Sequence, residues 1–440
     1  MSQLKESHTA TSVELAVMIK AMLSRLMSLI GHFLVTSQQI TVLGVTSPIS
    51  VTNLTNLEVL NFNENEGFNF WQIPKNISSR LKKLKRMILS ASTLQGPIPA
   101  TIGDMTSLVD LEFSGNYLVG QIPKEIGLLK NLQHLELYHN LLSGNMPEEI
   151  GNLTELIDLD MSVNWLTGKI PESICHLPKL QVLQHYNNSL GGEIPGEVPQ
   201  NLGQSSSMVV LDLSENNLRG PLLAEVCKGG QLLYLLVFQN MFSGNLPDSY
   251  TKCESVLRFG VSYNLLEGSM PQGLLSLPHT SLIDLAYNNF TAPLPITIEY
   301  PRNLSQLYVQ VNWTSGIIPP SISRASNLIK LDLSINLLSG QIPSEIGYLE
   351  KLNLLLLRGN KLNSSIPNSL SMLKSLNVLD LSNNLSTGSI PESLSELLHN
   401  SIYLSNYFLS GPIVTPFVHK YQTPSRYVIG VPKFAIWGSR

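Results

Sequence analysis

The 440-residue chain is short of charge: 14% of its residues are charged, 28 Lys+Arg against 32 Asp+Glu, for a formal net charge of -4. That near-neutral balance leaves no electrostatic footprint for a nucleic-acid partner. Three cysteines exclude a disulfide-dense scaffold. No stretch approaches the ~18 consecutive apolar residues of a membrane-spanning helix. No Gly-x-Ser-x-Gly elbow and no phosphate-binding glycine loop occurs, so neither chemistry is expected. The nine histidines are scattered without ligand spacing. His134, His139 and His185 fall near one another on successive repeats, but no carboxylate pattern or Cys partner accompanies them, so no metal site is expected. No catalytic residue and no cofactor is assigned.

What the chain has in excess is Leu, 77 residues, and Asn, 36 residues. At ~150 residues per domain the length would suggest about three domains. An excess of two residue types points first to internal repeats.

The repeating unit is LxxLxLxxNxLxGxIPxxIGxLxx. One clean copy runs Leu108, Leu111, Phe113, Asn116, Leu118, Gly120, Ile122, Pro123. Successive copies are anchored at Asn65, Ser92, Asn116, Asn140, Asn164, Asn188, Asn216, Asn240, Asn264, Asn288, Asn312, Asn336, Asn360, Asn384 and Tyr407. Their intervals are 27, four of 24, 28, seven of 24, and 23 residues. About 15 units therefore fill residues 51–414. Alternating inward side chains in LxL make one short strand. One such strand cannot bury its Leu face alone, so neighbouring coils stack into a parallel sheet. The expected fold is an α/β repeat solenoid with a concave parallel sheet and an irregular or 3-10 convex side. Gly-x-Ile-Pro is expected to form a second extended segment. At ~4.8 Å between strands the sheet would run roughly 65 Å, a long surface and not a pocket.

The 28-residue interval holds two abutting copies of one segment, Gly192-Glu193-Ile194-Pro195 and Gly196-Glu197-Val198-Pro199. Either one repeat has lost twenty residues near 195–199, or a four-residue loop has been inserted; both readings keep the flanking coils in phase. Residues 1–50 and 415–440 carry no repeat. Within the first, residues 26–35 (LMSLIGHFLV) have the character of a signal-peptide core. The 25 residues before them are too long for a signal and include Glu6 and Glu14. An amphipathic N-terminal helix or an incorrect start is the other reading.

The consensus resembles the plant-specific leucine-rich repeat of receptor-like kinase ectodomains. Stretches such as NLTNLEVLNFNEN (53–65), TSLVDLEFSGNYLVGQIPKEIG (106–127), VCKGGQLLYLLVFQN (226–240), SLPHTSLIDLAYNN (276–289) and SSIPNSLSMLKSLNVLDLS (364–382) resemble receptors of C-terminally encoded peptides. The resemblance covers about residues 50–413. It implies a leucine-rich-repeat superhelix on the extracellular side of the plasma membrane. Such a receptor binds a secreted peptide and recruits a co-receptor ectodomain. The chain departs from this pattern in four respects. It lacks paired-Cys caps. It lacks the membrane span and the kinase, with no Val-Ala-Ile-Lys, His-Arg-Asp or Asp-Phe-Gly motif. It is short of most of one repeat near residue 196. And where related receptors often hold a peptide carboxylate with Arg-x-Arg, it has Arg258 and Gly260. Taken alone, the chain is expected to be secreted or is left unplaced.

The residues flanking each strand Leu are expected on the concave face. Asp110, Glu112, Glu136, Asp158 and Asp160 cluster on early coils. Tyr186, Phe238, Tyr263, Tyr287 and Tyr308 follow around Arg258 and Gly260. Most concave Asp residues are expected to be a solvated face. Aromatics beside Arg are interface-anchoring types, so a peptide groove is expected from about Asp110 to Tyr308. Cys227 and Cys253 lie on successive outer segments, as a disulfide or as two buried thiols; Cys175 is left over. Asn53, Asn76, Asn152, Asn187, Asn289, Asn303 and Asn363 head candidate glycosylation sequons. Asn312 and Asn384 also head sequons but occupy the inward-turn position, where no glycan is expected. Two other functions fit the same repeat: a secreted inhibitor of a pathogen wall-degrading enzyme, as in polygalacturonase-inhibiting proteins, or a truncated fragment without function.

Overall fold

The computed structural model describes residues 34–36, 55–64, 69–191, 198–299, 301–397, 401–405 and 408–409. The anchors Asn65 and Tyr407, the sequon at Asn53, residues 192–197 of the doubled segment, the tail 415–440 and most of residues 1–50 lie outside them. The chain forms two compact units. The first is Met1–Met208 with Glu215–Asn217, and the second is Val209–Ser214 with Leu218–Arg440.

In the first unit the strands Val59–Asn61, Arg86–Ile88, Asp110–Glu112, His134–Glu136, Asp158–Asp160 and Val182–Gln184 pair in parallel and in chain order. Leu34–Thr36, from a segment with no repeat unit, pairs in parallel with Val59–Asn61. In the second unit Val210–Asp212, Tyr234–Leu236, Arg258–Gly260, Leu282–Asp284, Gln306–Tyr308, Lys330–Asp332, Leu354–Leu356, Val378–Asp380 and Ser401–Tyr403 do the same. The middle residue of each strand is buried and its two neighbours point to the concave side, as the two-residue period of a strand requires.

A second row of short strands follows most anchors. It comprises Gln95–Gly96, Tyr117–Gly120, Leu141–Asn145, Trp165–Gly168 and Ser189–Leu190 in the first unit. In the second unit it includes Arg219–Gly220, Met241–Asn245, Leu265–Gly268 and Asn289–Phe290. The strand stops around the Gly of Gly-x-Ile-Pro and does not run through it. Gly120 has φ +81°, a left-handed conformation that Gly adopts at no steric cost. Pro then leads into a 3-10 turn, as Pro123 does into Lys124–Leu128 and Pro343 into Ser344–Tyr348. Its fixed φ and missing N–H suit that position. The turns of adjacent coils pack closely. A Cβ at Gly127 would sit 2.3 Å from the Glu149 carbonyl oxygen, which is why the unit specifies Gly there.

The anchor Asn ties each coil to the one before. Asn264 is buried. Its Oδ1 accepts the Phe242 N–H at 2.9 Å, while Nδ2 donates to the carbonyls of Val237, Val261 and Ser262 at 3.0–3.1 Å. Asn116, Asn140, Asn164, Asn240, Asn288, Asn312, Asn336, Asn360 and Asn384 repeat this bonding. The ladder survives the 28-residue interval. Asn216 Nδ2 donates to the His185 carbonyl at 2.9 Å, and Asn216 Oδ1 accepts the Leu190 N–H at 2.9 Å.

In the second unit Cys227 and Cys253 form a disulfide with Cα atoms 5.3 Å apart. Cys175 is a buried free thiol, pushed up to about 11 by burial and then by Glu172. Opening the bond by Cys253→Ser is expected to cost about 2–3 kcal/mol through freed unfolded-chain entropy. The check is urea unfolding of wild type and variant, with and without reductant; reductant should erase the difference.

Candidate binding face

The concave strands of the first unit gather carboxylates. In register, Asp110, His134 and Asp158 form one row across adjacent strands, and Glu112, Glu136 and Asp160 the next. Asp110 is 6% exposed and holds two partners, Arg86 Nε and His134 Nδ1, the latter at 2.7 Å. The others are less well paired. Burial, then Asp110, pushes the Glu112 carboxyl up. Burial, then Glu112, Asp158 and Asp160, pushes Glu136 up to about 7. Burial, then Asp160, pushes Asp158 up to about 6, and Asp158 Oδ1 is buried without a hydrogen-bond partner. Desolvation and like charge act in the same direction here. Tyr186 is half-buried beyond this cluster.

Glu112→Gln is therefore expected to lower the Glu136 pKa toward 4.5, its ordinary value. An NMR titration of the Glu136 carboxyl reads this directly. An unchanged midpoint would show that burial, with Asp158 and Asp160, sets it without Glu112. Because folding raises the Glu136 pKa, the stability tied to its protonated form is full below the ordinary value. It is lost as pH rises through about 7.

In the second unit the face changes character. Arg258 is exposed, and among the described residues it makes no ion pair. Phe259 beneath it is fully buried. Gly260 leaves little room for a side chain, since a Cβ there would lie 3.2 Å from Leu236 Cδ2 and 3.8 Å from Phe238 Cδ1. Tyr263 and Tyr287 each sit at φ +53° on the lip of the face. Their rings stack with centroids 4.0 Å apart and planes 10° apart. Tyr308 is half-buried and donates its hydroxyl to Gln306 Oε1 at 2.9 Å.

The Leucine Rich Repeat family pattern matches residues 131–153, 155–177, 327–349 and 375–397. The ectodomain of the Arabidopsis receptor kinase HAESA, solved with the peptide hormone IDA and the co-receptor SERK1, is 34% identical. That likeness covers 88% of this chain and 72% of the HAESA chain, with a TM-score of 0.71. The chain belongs to the plant leucine-rich-repeat receptor-kinase ectodomains. PEPR1 in complex with AtPEP1 is 29% identical, with 83% of this chain and 57% of that chain covered and a TM-score of 0.66. The receptor protein-tyrosine kinase CEPR1 of Arabidopsis thaliana is 57% identical over 51 residues, 12% of this chain and 5% of CEPR1. The chain thus matches only a small part of that receptor's length.

In this chain the concave Asp positions are more than a solvated face. Asp160, Asp212, Asp284, Asp332 and Asp380 each accept the N–H of the residue two places on, at 2.9–3.1 Å. They cap the chain where it leaves the strand; Asp332 is 8% exposed, and the other four are half-buried. Ile88 also packs under its neighbours.

Two features escaped the sequence reading. Arg80, Lys82, Lys83, Lys85 and Arg86 put five cations in seven residues, all exposed; a short-window charge count would have found them. Lys85 pairs with Glu58 at 2.9 Å and Arg86 with Asp110. His185 fills a Leu position of the unit and is fully buried. Of the sequons, Asn76, Asn152, Asn187, Asn289, Asn303 and Asn363 are exposed, whereas Asn312 and Asn384 are locked in the ladder.

Proposed function

We propose that the chain binds a secreted peptide on its concave face, with Arg258 receiving the peptide's terminal carboxylate. The observation that carries this reading is an exposed, unpaired guanidinium on a strand face flanked by Leu236, Phe238 and tyrosines. A guanidinium can hold a carboxylate through two parallel charge-assisted hydrogen bonds. The likeness to HAESA and PEPR1 ectodomains, both solved with peptide ligands, supports it. On this reading the protein works outside the cell, and a second leucine-rich-repeat ectodomain is its partner, as SERK1 is for HAESA. We read residues 51–414 as the binding body, with 1–50 and 415–440 as flanks.

The test is calorimetric titration of the purified chain with a peptide of the C-terminally encoded class, as free acid and as C-terminal amide. Arg258→Gln should weaken the free acid by about 10- to 100-fold, the loss of one charge-assisted bond, and leave the amide unchanged. Equal affinity for both forms in wild type would remove the carboxylate role. No binding at micromolar concentration would remove the function. Gly260→Arg should favour the free acid further, and Leu236→Ala beside it should be needed to seat the new side chain.

A further inference from the structure

The Tyr263–Tyr287 pair does something that burial alone does not require. Neither ring is in the core, being 47% and 38% exposed. Yet the two are nearly parallel and in contact, with ring centroids 4.0 Å apart. Their backbones are held by the Asn264–Tyr287 and Tyr263–Ala286 hydrogen bonds, at 3.1 and 3.0 Å, and by Tyr287 to Gln310 at 2.9 Å. The pair is therefore a preformed aromatic slab. Little side-chain freedom remains to be lost when a ligand settles on it.

The surroundings of the slab are acidic. Asp284 lies close enough to act on both Tyr263 and Tyr308, and Asp332 also acts on Tyr308. Asp284 accepts from Ala286 N at 3.1 Å and from Ser262 Oγ at 2.8 Å, one bond on each oxygen. Each carboxylate oxygen has a further lone pair. Among the described residues no Lys or Arg forms an ion pair with Asp284 or Asp332. Arg258 opens its strand, and Asp284 closes the neighbouring one opposite Gly260. The face thus presents a cation at one edge and an anion with π faces at the other.

We propose that Tyr263, Tyr287 and Asp284 form a subsite for an arginine side chain of the peptide whose carboxylate Arg258 holds; the inference rests on the peptide-binding reading above. A guanidinium is planar and can lie flat on a tyrosine ring while its N–H fork reaches a carboxylate. A lysine ammonium offers only the charge, and a neutral ring only the stacking.

The experiment uses synthetic octapeptides with a free C-terminal carboxylate and a Gly/Ser/Ala background. Arg is placed at each of the four positions before the C-terminus, and each peptide has a twin with citrulline, which keeps the plane and loses the charge. Binding to the whole chain is read by calorimetry up to millimolar peptide. At one position the Arg peptide should bind about 10-fold more tightly than its twin. The difference should vanish in Asp284→Asn and Tyr287→Leu and persist in Tyr287→Phe. Equal affinity of twins at every position, with Arg258→Gln still weakening both, overturns the subsite and leaves the anchor standing. An Arg preference that survives Tyr287→Leu and Asp284→Asn also overturns it. Absence of binding by every peptide overturns the subsite and the anchor together.

Discussion

Asn264→Leu is expected to lower the unfolding free energy by about 3–5 kcal/mol, because several buried backbone groups lose their partners at once. The shape is nearly conserved, so the loss is one of hydrogen bonding. The Phe242 N–H and the Val237, Val261 and Ser262 carbonyls are each bonded by this one amide. Asn264→Asp keeps the acceptor and removes the donors, and should be damaging too. Urea unfolding followed by circular dichroism gives the size. A solenoid couples each coil only to its neighbours, so hydrogen exchange should show the opening concentrated around residues 237–266. A change below ~1 kcal/mol would mean that water replaces the amide and that the ladder is not what holds the coils.

His185→Leu should act in the opposite sense, raising stability and flattening its pH dependence. His185 is fully buried where the unit calls for Leu. Its Nδ1 meets the Gln184 carbonyl oxygen, and its Nε2 has no partner. Burial holds the imidazole at about 4, below its ordinary 6.5. Between those values the unfolded chain takes up a proton that the folded chain excludes. The stability linked to the neutral ring is therefore complete above pH 6.5 and is lost as pH falls toward 4. The loss from this group is about 3 kcal/mol, at 1.36 kcal/mol per pKa unit. The Leu variant should lose that much less between pH 7 and pH 4 in the same urea experiment. Glu136 and Asp158 contribute with the opposite sign, since folding raises their pKa values. Comparing Leu variant with wild type cancels them. Parallel pH profiles would refute the assignment.

Much of this molecule was legible before any coordinates. Anchors 24 residues apart recur because every coil must place the same groups against the same groups of the next. Leu111, Leu135 and Leu159 are buried in turn for that reason. The reading was weaker where a residue has two roles. Asp in Leu-Asp-Leu-Ser was read as solvated, but its short side chain also bonds the N–H two residues on, as in Asp332 and Ser334. Gly-x-Ile-Pro suggests an extended segment throughout, whereas Gly120 takes a positive φ and Pro123 opens a 3-10 turn.

The sequence by itself determined the repeat solenoid, its parallel strands and the spacing of its Asn ladder. These are periodic properties, and a period is visible in one dimension. Only the tertiary structure decided the character of each patch of the concave face. The near-neutral tendency of Glu136, the stacking of Tyr263 on Tyr287, and the filling of the space at Gly260 by Leu236 depend on neighbours across the strands. A repeat specifies where a side chain starts. Which way it leans, what it shields from water and which charge it meets are set by the non-repeating residues of the adjacent coils.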